Sequence, residues 1–319
     1  MAMDNDVIEK SDQRDKFADP VRTASGEKRA RVDFTDLETL WFNTGTLCNL
    51  ACANCYIESS PRNDRLVYLS YDEVRSYLDE IDALGFNTCE IGITGGEPFM
   101  NPDIIPIMEE SLKRGYRLLM LTNAMRPMMK KGDDLLRLHE TYGDQLTMRV
   151  SVDHYSRELH EEERGPGAWE PMMKGLKWLS DNSFYIDIAG RTRWGEDENA
   201  LRAGYQDFFD THGIALDAQD KTRIVLFPEM DENAPVPEIT TGCWEKTGVN
   251  PDDIMCASSR MVVKRKGDTK PSVQACTLIP YDQEFNMGSS LYEASTSVQL
   301  NHPHCSKFCV LGGGSCGGK

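Results

Sequence analysis

The sequence predicts an α/β fold on a parallel sheet, open or closed. Three observations carry this. From about residue 38 to 230, short apolar runs alternate with amphipathic stretches. Several of those stretches begin and end on helix-capping residues. After Pro228 the character changes, so the alternation has a definite end. A strand-then-helix rhythm selects a parallel sheet because each crossover needs about a dozen residues, which a helix supplies.

Residues 1–36 are charged and poor in large apolar side chains, with Pro20, Gly26 and the basic Lys28, Arg29 and Arg31 among them; they read as a flexible arm. Strand candidates follow at Leu37–Asn43, Thr88–Thr94, Arg117–Thr122, Thr147–Val152, Phe184–Ala189 and Arg223–Phe227. Between them lie helix candidates. Ser70–Leu84 opens with a capping box (Ser70, Glu73) and stops at Gly85. Asn101–Arg114 carries Pro102 in its first turn and stops at Gly115. Lys130–Tyr142, Trp169–Asn182 and Glu198–His212 complete the set. Pro235 and Pro237 mark a linker. Beyond it, Ser259–Lys266 and Ser272–Leu278 read as a hairpin turning at Gly267-Asp268. The division expected is 1–36, 37–232 and 233–319.

A chain of 319 residues buries about three quarters of its unfolded surface, so its ten cysteines are not needed as staples. A net charge of −17 argues against nucleic acid or an anionic membrane as the main partner. The N-terminus has no apolar run of signal-peptide type, and no window approaches the ~18 apolar residues of a membrane span. A cytoplasmic location is therefore expected. There, closely spaced cysteines serve metals or redox chemistry more often than disulfides.

The first such cluster is Cys48-Asn-Leu-Ala-Cys52-Ala-Asn-Cys55, directly after the first strand. Three soft thiolates on one loop suit zinc or an iron–sulfur cluster. A structural zinc site wants a fourth ligand, and no Cys or His follows nearby. A cubane with three cysteine ligands leaves one iron open. The loop leaves the C-terminal end of a strand, where α/β folds place their chemistry. The next strand ends in Thr94-Gly95-Gly96-Glu97-Pro98, whose two glycines permit close approach to the backbone.

In Cys48, Cys52, Cys55 and Thr94–Pro98 the sequence resembles the radical SAM superfamily over roughly residues 38–230. The resemblance implies a partial (β/α)6 TIM-like barrel. It implies a [4Fe–4S] cluster on the three cysteines and S-adenosylmethionine on the open iron. Cleavage by one electron would give methionine and a 5′-deoxyadenosyl radical that takes a substrate hydrogen. Gly95, Gly96 and Glu97, with Thr94, match the segment that contacts the methionine amino group. Thr122 and Asn123 end the third strand at the same mouth. Ser151 and Asp153 match a position that touches ribose or carboxylate, and Arg191 could pair with the cosubstrate carboxylate. The family usually has an aromatic residue before the third cysteine. Here it is Asn54, with Tyr56 following, which leaves adenine to backbone groups or to Tyr56.

Six further cysteines lie in the tail: Cys243, Cys256, Cys276, Cys305, Cys309 and Cys316. The order of hairpin cysteines, a Gly-Ser-Ser-Leu segment at 288–291 and clustered cysteines resembles the SPASM/twitch extensions of radical SAM enzymes, which bind auxiliary [4Fe–4S] clusters. A full SPASM domain needs seven or more cysteines, so one auxiliary cluster is expected. Its ligands would be Cys256, Cys276, Cys305 and Cys309, with Cys316 as substitute. A zinc site is the rival, favoured by His302 and His304 beside Cys305. Cys243 is left open, and Cys89 reads as an inert buried thiol.

Such a cluster would accept an electron from a substrate radical or hold the substrate. Oxidation also needs a base, for which Glu229, Asp187 and Tyr281 are candidates. The expected function is oxidation or rearrangement of a small molecule. A peptide maturase is the first alternative, disfavoured by an N-terminal arm too short for a winged-helix recognition module, and a non-catalytic iron–sulfur or zinc protein is the second. The resemblance also implies a flavodoxin- or ferredoxin-type reductant.

Overall fold

The computed structural model describes residues 16–229, 231 and 234–312. After a short strand β1 (Arg31–Val32) come β2 (Thr39–Asn43), β3 (Glu90–Thr94), β4 (Arg117–Thr122), β5 (Leu146–Ser151), β6 (Tyr185–Arg191) and β7 (Ile224–Phe227). The last six are parallel and lie side by side in chain order. Helices α1 (Tyr71–Leu84), α2 (Ile104–Lys113), α3 (Gly132–Tyr142), α4 (Arg157–Arg164), α5 (Trp169–Asp181) and α6 (Glu198–His212) fill the crossovers. The expected α/β architecture is present as an open six-stranded parallel sheet, consistent with a partial barrel.

Capping residues place α1 where the sequence does: the Ser70–Glu73 box is formed and Gly85 closes the helix at φ 69°. The second helix begins later than expected. Pro98–Met100 forms a tight turn, and the Asn101 side chain accepts from the Asp103 amide, so helix starts only at Ile104. Helix α4 escapes sequence reading altogether. Its stretch, RELHEEER, carries no apolar stripe, and the residues it buries are His160 and Glu163.

The two faces of the sheet differ. Leu40, Phe42, Ile91, Ile93, Leu118, Met120, Met148, Val150, Ile186 and Ile188 share one core with the helices. Trp41 and Leu119 belong to a second core with the C-terminal extension. Paired across β5 and β6, Arg149 and Asp187 are both buried and bridge at 3.2 Å. Gly92 stands opposite Trp41 in the β2–β3 register, and a Cβ there would lie 2.4 Å from the indole. Glycine inside this strand is what leaves room for the Trp41 ring.

The extension continues this sheet. β8 (Ser259–Val263) pairs parallel with β2, Thr39 facing Ser259, and β9 (Ser272–Gln274) returns antiparallel to β8. The hairpin is the expected one with shorter strands, turning at Gly267 with φ 94°. β10 (Val298–Gln299) pairs with β1. Residues 16–36, expected as part of a flexible arm, are thereby held in place. Arg29 is 2% exposed, donates to the carbonyls of Lys16, Asp19, Arg22 and Leu300, and meets Glu238 at 2.5 Å. Apolar content alone hides this, because the segment is anchored by one buried charge and a two-residue strand. No helix among the described residues is long and apolar enough to cross a membrane.

Gly92→Ala should lower the unfolding free energy in urea by about 1–3 kcal/mol, the usual cost of overpacking a core. The double variant Gly92→Ala/Trp41→Leu should cost less than the sum of its parts, because the clash is with the indole.

Candidate functional site

The loop after β2 folds back over the ends of β2 and β3. Thr44 N donates to Thr94 O, Gly96 N to Gly45 O and Glu97 N to Leu47 O, at 2.9, 2.8 and 3.1 Å. Gly95 has φ 138°, and a Cβ there would lie 2.5 Å from Gly45 O; one on Gly96 would lie 2.3 Å from Leu47 O. These glycines are therefore required by the cysteine loop's own backbone, which presses on them.

Cys48 is buried, and Cys52 and Cys55 are half-buried. Leu50 N points at the Cys48 sulfur at 3.4 Å and Ser59 N at that of Cys55 at 3.3 Å. Burial pushes Cys48 up to about 12 and also raises Cys52. Such thiols keep their protons until a cation displaces them, and amide donors aimed at sulfur then favour the thiolate. Among the described residues, no three His, Cys, Asp or Glu side chains close on a single metal ion. The donors suit a group in which each thiolate binds a different iron.

A cavity of about 120 Å³ adjoins this loop. Cys52, Cys55, Tyr56, Thr94, Gly95, Gly96, Asn123, Ser151 and Arg191 line it. Seven of the nine positions expected to bind cofactor thus meet in one place. Thr122 lines it too, with its hydroxyl on Glu97. Asp153 and Glu97 point elsewhere. Asp153 is 2% exposed and faces Arg164, with Nη2 to Oδ1 at 3.0 Å and Nε on Oδ2, and Arg191 at 3.5 Å. Burial works to raise its pKa, but Arg164 and then Arg191 hold it below the usual carboxylate range. The expected contact of Asp153 with ribose or carboxylate is therefore replaced by one with two arginines.

Arg164 and Glu163, at the end of α4, are functional candidates that sequence reading missed. The available signal was Arg164-Gly165 ending a helix after the Ser-Val-Asp strand. Arg164 lines the cavity, and its charge acts on Cys52 and Cys55. Glu163 accepts from Asn54 N at 3.0 Å and from Asn54 Nδ2 at 2.8 Å, while Arg191 Nη2 donates to Asn54 O at 2.9 Å. That clamp accounts for asparagine before the third cysteine. Arg191 Nη1 is buried and makes no hydrogen bond with the described residues, though Glu163 stands 3.7 Å and Glu229 4.0 Å away as ion-pair partners.

A second cavity of about 130 Å³ shares Tyr56, Thr94, Leu121, Ser151, Arg164 and Arg191 with the first and reaches inward to Trp41, Arg149, Ala189, Phe227 and Leu278. Asp153 lies on its wall. Of the candidate bases, Asp187 is held by Arg149 and Arg223, and the Tyr281 hydroxyl donates to Ile57 O at 2.6 Å and accepts from Asn63. Glu229 stands 4.0 Å from Arg191 and 3.8 Å from Arg193.

In the extension, Cys256, Cys276, Cys305 and Cys309 line one further cavity with His304. Burial pushes Cys256 up to about 11 and Cys305 to about 12, and Leu278 N points at the Cys276 sulfur at 3.3 Å. Cys305–Val310 forms a wide π-helical turn, with Leu311 N bonded to Ser306 O. This turn brings two cysteines with three intervening residues to one cavity. Cys316 lies outside the described residues. Cys243 sits apart from this cavity, its sulfur accepting from Thr240 N at 3.4 Å. Cys89 is exposed, against the buried-thiol expectation, with its sulfur 3.6 Å from Arg117 Nη2.

Glu97 is 1% exposed and accepts from Phe99 N (3.2 Å), Thr122 Oγ1 (2.9 Å) and Asn123 N (2.9 Å). Rather than facing the cavity, its carboxyl ties the ends of β3 and β4 together. Burial pushes it up to about 7. A carboxyl that holds its proton more tightly folded than unfolded stabilises below its unfolded value, and that contribution is lost as pH rises through the folded one. Between pH 4.5 and 7.5 the wild type should lose about 3 kcal/mol of unfolding free energy relative to Glu97→Gln. Parallel urea titrations at the two pH values check this.

Residues 42–190 match the family model of the Radical SAM superfamily. The antilisterial bacteriocin subtilosin biosynthesis protein AlbA of Bacillus subtilis (strain 168) is 34% identical over 143 residues, which is 44% of this chain and 30% of that protein. An AdoMet-dependent heme synthase of Oleidesulfovibrio alaskensis is 31% identical over 144 residues, 44% of this chain and 34% of that protein. The chain spans about a third of the length of these curated relatives. Streptococcus suis SuiB superposes with a TM-score of 0.58 at 12% identity, over 83% of this chain and 67% of that one, a likeness of fold. Family model, parallel sheet and three-thiol loop agree: this chain carries a radical SAM domain over residues 42–190.

Proposed function

We propose that this protein is a radical SAM enzyme that oxidises one side-chain-sized group, most simply a side chain of a peptide, inside its sheet. The observation that carries the reading is the shared wall between the two cavities at the strand ends. When bound, a [4Fe–4S] cluster with S-adenosylmethionine supplies a low-potential electron and a carbon radical. Cys48, Cys52 and Cys55 would hold the cluster. Gly95, Gly96, Asn123 and Ser151 would line the methionine and ribose, Tyr56 the adenine, and Arg191 with Arg164 the carboxylate. The bidentate pair with Asp153 occupies Nε and Nη2 of Arg164 and leaves Nη1 for a second anion.

The inner cavity would take the substrate. At about 130 Å³ it is close to the roughly 150 Å³ that admits benzene in an apolar core, so it suits one side chain better than a whole cofactor. AlbA is a bacteriocin biosynthesis protein, and SuiB has been solved with its precursor peptide SuiA; both favour a peptide. The small-molecule reading has the heme synthase in its favour. The substrate radical would lose an electron to an acceptor on the tail thiols and a proton to Glu229. The boundaries 37–232 and 233–319 would separate the two functions, with Thr277 and Leu278 of the extension closing the inner cavity.

Anaerobically reconstituted wild type should hold about eight irons, from two cubanes. On reduction it should turn S-adenosylmethionine into 5′-deoxyadenosine. Cys48/Cys52/Cys55→Ala should lose about four irons and all cleavage. Cys276→Ala should lose about four irons and keep cleavage. Wild type that makes no 5′-deoxyadenosine sinks the enzymatic reading, and unchanged iron in Cys276→Ala sinks the auxiliary cluster. Arg164→Met should weaken S-adenosylmethionine binding by about 10- to 100-fold in equilibrium dialysis, as expected for a charged hydrogen bond of about 1.5–3 kcal/mol.

A further inference from the structure

Four arginines among the described residues are buried: Arg29, Arg149, Arg202 and Arg260. Three have a carboxylate: Glu238 at 2.5 Å, Asp187 at 3.2 Å and Glu198 at 2.8 Å. Arg260, on β8 and 1% exposed, makes no ion pair with the described residues. Its guanidinium donates to main-chain carbonyls: Nε to Ala294 (2.9 Å), Nη1 to Cys256 (2.6 Å) and Ser259 (2.7 Å), Nη2 to Thr296 (2.9 Å). One face lies over the Phe34 ring at 4.7 Å.

Carbonyl dipoles satisfy the N–H groups but do not cancel the charge. A buried, uncompensated cation is costly, and folds pair or expel it. Arg260 is kept one hydrogen bond from the main chain of Cys256, on the strand that opens the cysteine hairpin. Burial lowers its pKa to about 10, while the nearby Cys256 and Cys276 act to raise it. Among the described residues, the groups whose negative charge acts on Arg260 are those thiols, once a metal group has removed their protons.

We infer that Arg260 is the built-in counter-charge of an iron–sulfur group on Cys256, Cys276, Cys305 and Cys309, and that it raises the reduction potential of that group. This rests on the auxiliary-cluster reading above. Four thiolates around a cubane carry a net charge of about −2, and about −3 after reduction, so a fixed cation at close range favours the reduced form. The effect is strong because the guanidinium and two of the thiols are buried together, with little water to screen them. Arg260 acts here through its charge, held beside Cys256 by the bond to that residue's carbonyl, as a positioning charge.

The test is an EPR-monitored redox titration of full-length, reconstituted protein in the Cys48/Cys52/Cys55→Ala background, where only the tail group is read. At the midpoint potential of that parent, Arg260→Gln should shift the oxidised-to-reduced ratio at least tenfold toward oxidised, which is 59 mV for one electron. Arg260→Lys, which keeps the charge with fewer bonds, should stay within threefold. Thr296→Asp adds an acid beside the guanidinium from an exposed position and should shift the ratio at least threefold the same way. A Gln variant within twofold of the parent, or a Lys variant shifted as far as Gln, overturns the inference. If Arg260→Gln loses its iron, Thr296→Asp decides alone, and an unchanged potential there overturns it. A parent that holds no iron overturns the auxiliary-cluster reading itself, and is recognised before any potential is measured.

Discussion

At the mouth of the sheet, two lengths of backbone lie so close that a methyl group on Gly95 or Gly96 would sit 2.5 Å or less from a carbonyl oxygen of the cysteine loop. That approach fixes the loop on the strand ends and thereby positions Cys48, Cys52 and Cys55. Glu97 braces it from behind by binding Thr122 and Asn123, and Glu163 and Arg191 brace it in front by holding Asn54. Removing the side chain at two positions lets the sheet and the loop share hydrogen bonds that bulkier residues would break. The cavity beside the thiols is the space left over once this contact is made.

The extension is a second constraint of the same kind. Because β8 joins β2 edge to edge, the tail is a continuation of the sheet. Thr277 and Leu278 line both the inner cavity and the cavity among the tail cysteines. Whatever occupies one is separated from the other by two residues of a single strand-to-loop segment. Tyr281 adds a direct tie, since its hydroxyl bonds to Ile57 O just beyond the third cysteine of the front loop.

What sequence could and could not reveal follows from the kind of signal each feature leaves. Strands β2 to β7 and helix α1 announce themselves through apolar periodicity and caps, and the cysteine loop through its spacing. Helix α4 left no such trace, because its buried positions are a histidine and a glutamate, and with it Arg164 and Glu163 were overlooked. Asp153 was found but its partner misjudged: a carboxylate at a strand end looks ready for a ligand until an arginine from an unrecognised helix is seen on it. The same holds for Glu97, whose carboxyl is taken up by its own turn and by the end of β4. Residues 16–36 look loose because composition cannot show that one arginine among several is swallowed by carbonyls of its own segment and one, Leu300 O, from far along the chain. Pairing of the hairpin with β2 was equally invisible, since nothing local encodes which edge a strand will join.

That long-range closure also bears on how the molecule comes into being. Arg29 bonds to a carbonyl 271 residues further on, and β8, the edge partner of β2, is made only after β3 to β7. A ribosome releases the N-terminal edge of the sheet long before it delivers the strand that covers it. Until then β2 exposes an unpaired flank, the kind of edge that recruits wrong neighbours. Such a topology ranks among the slower ones to assemble, because the flank of β2 stays open until Ser259–Val263 has been made.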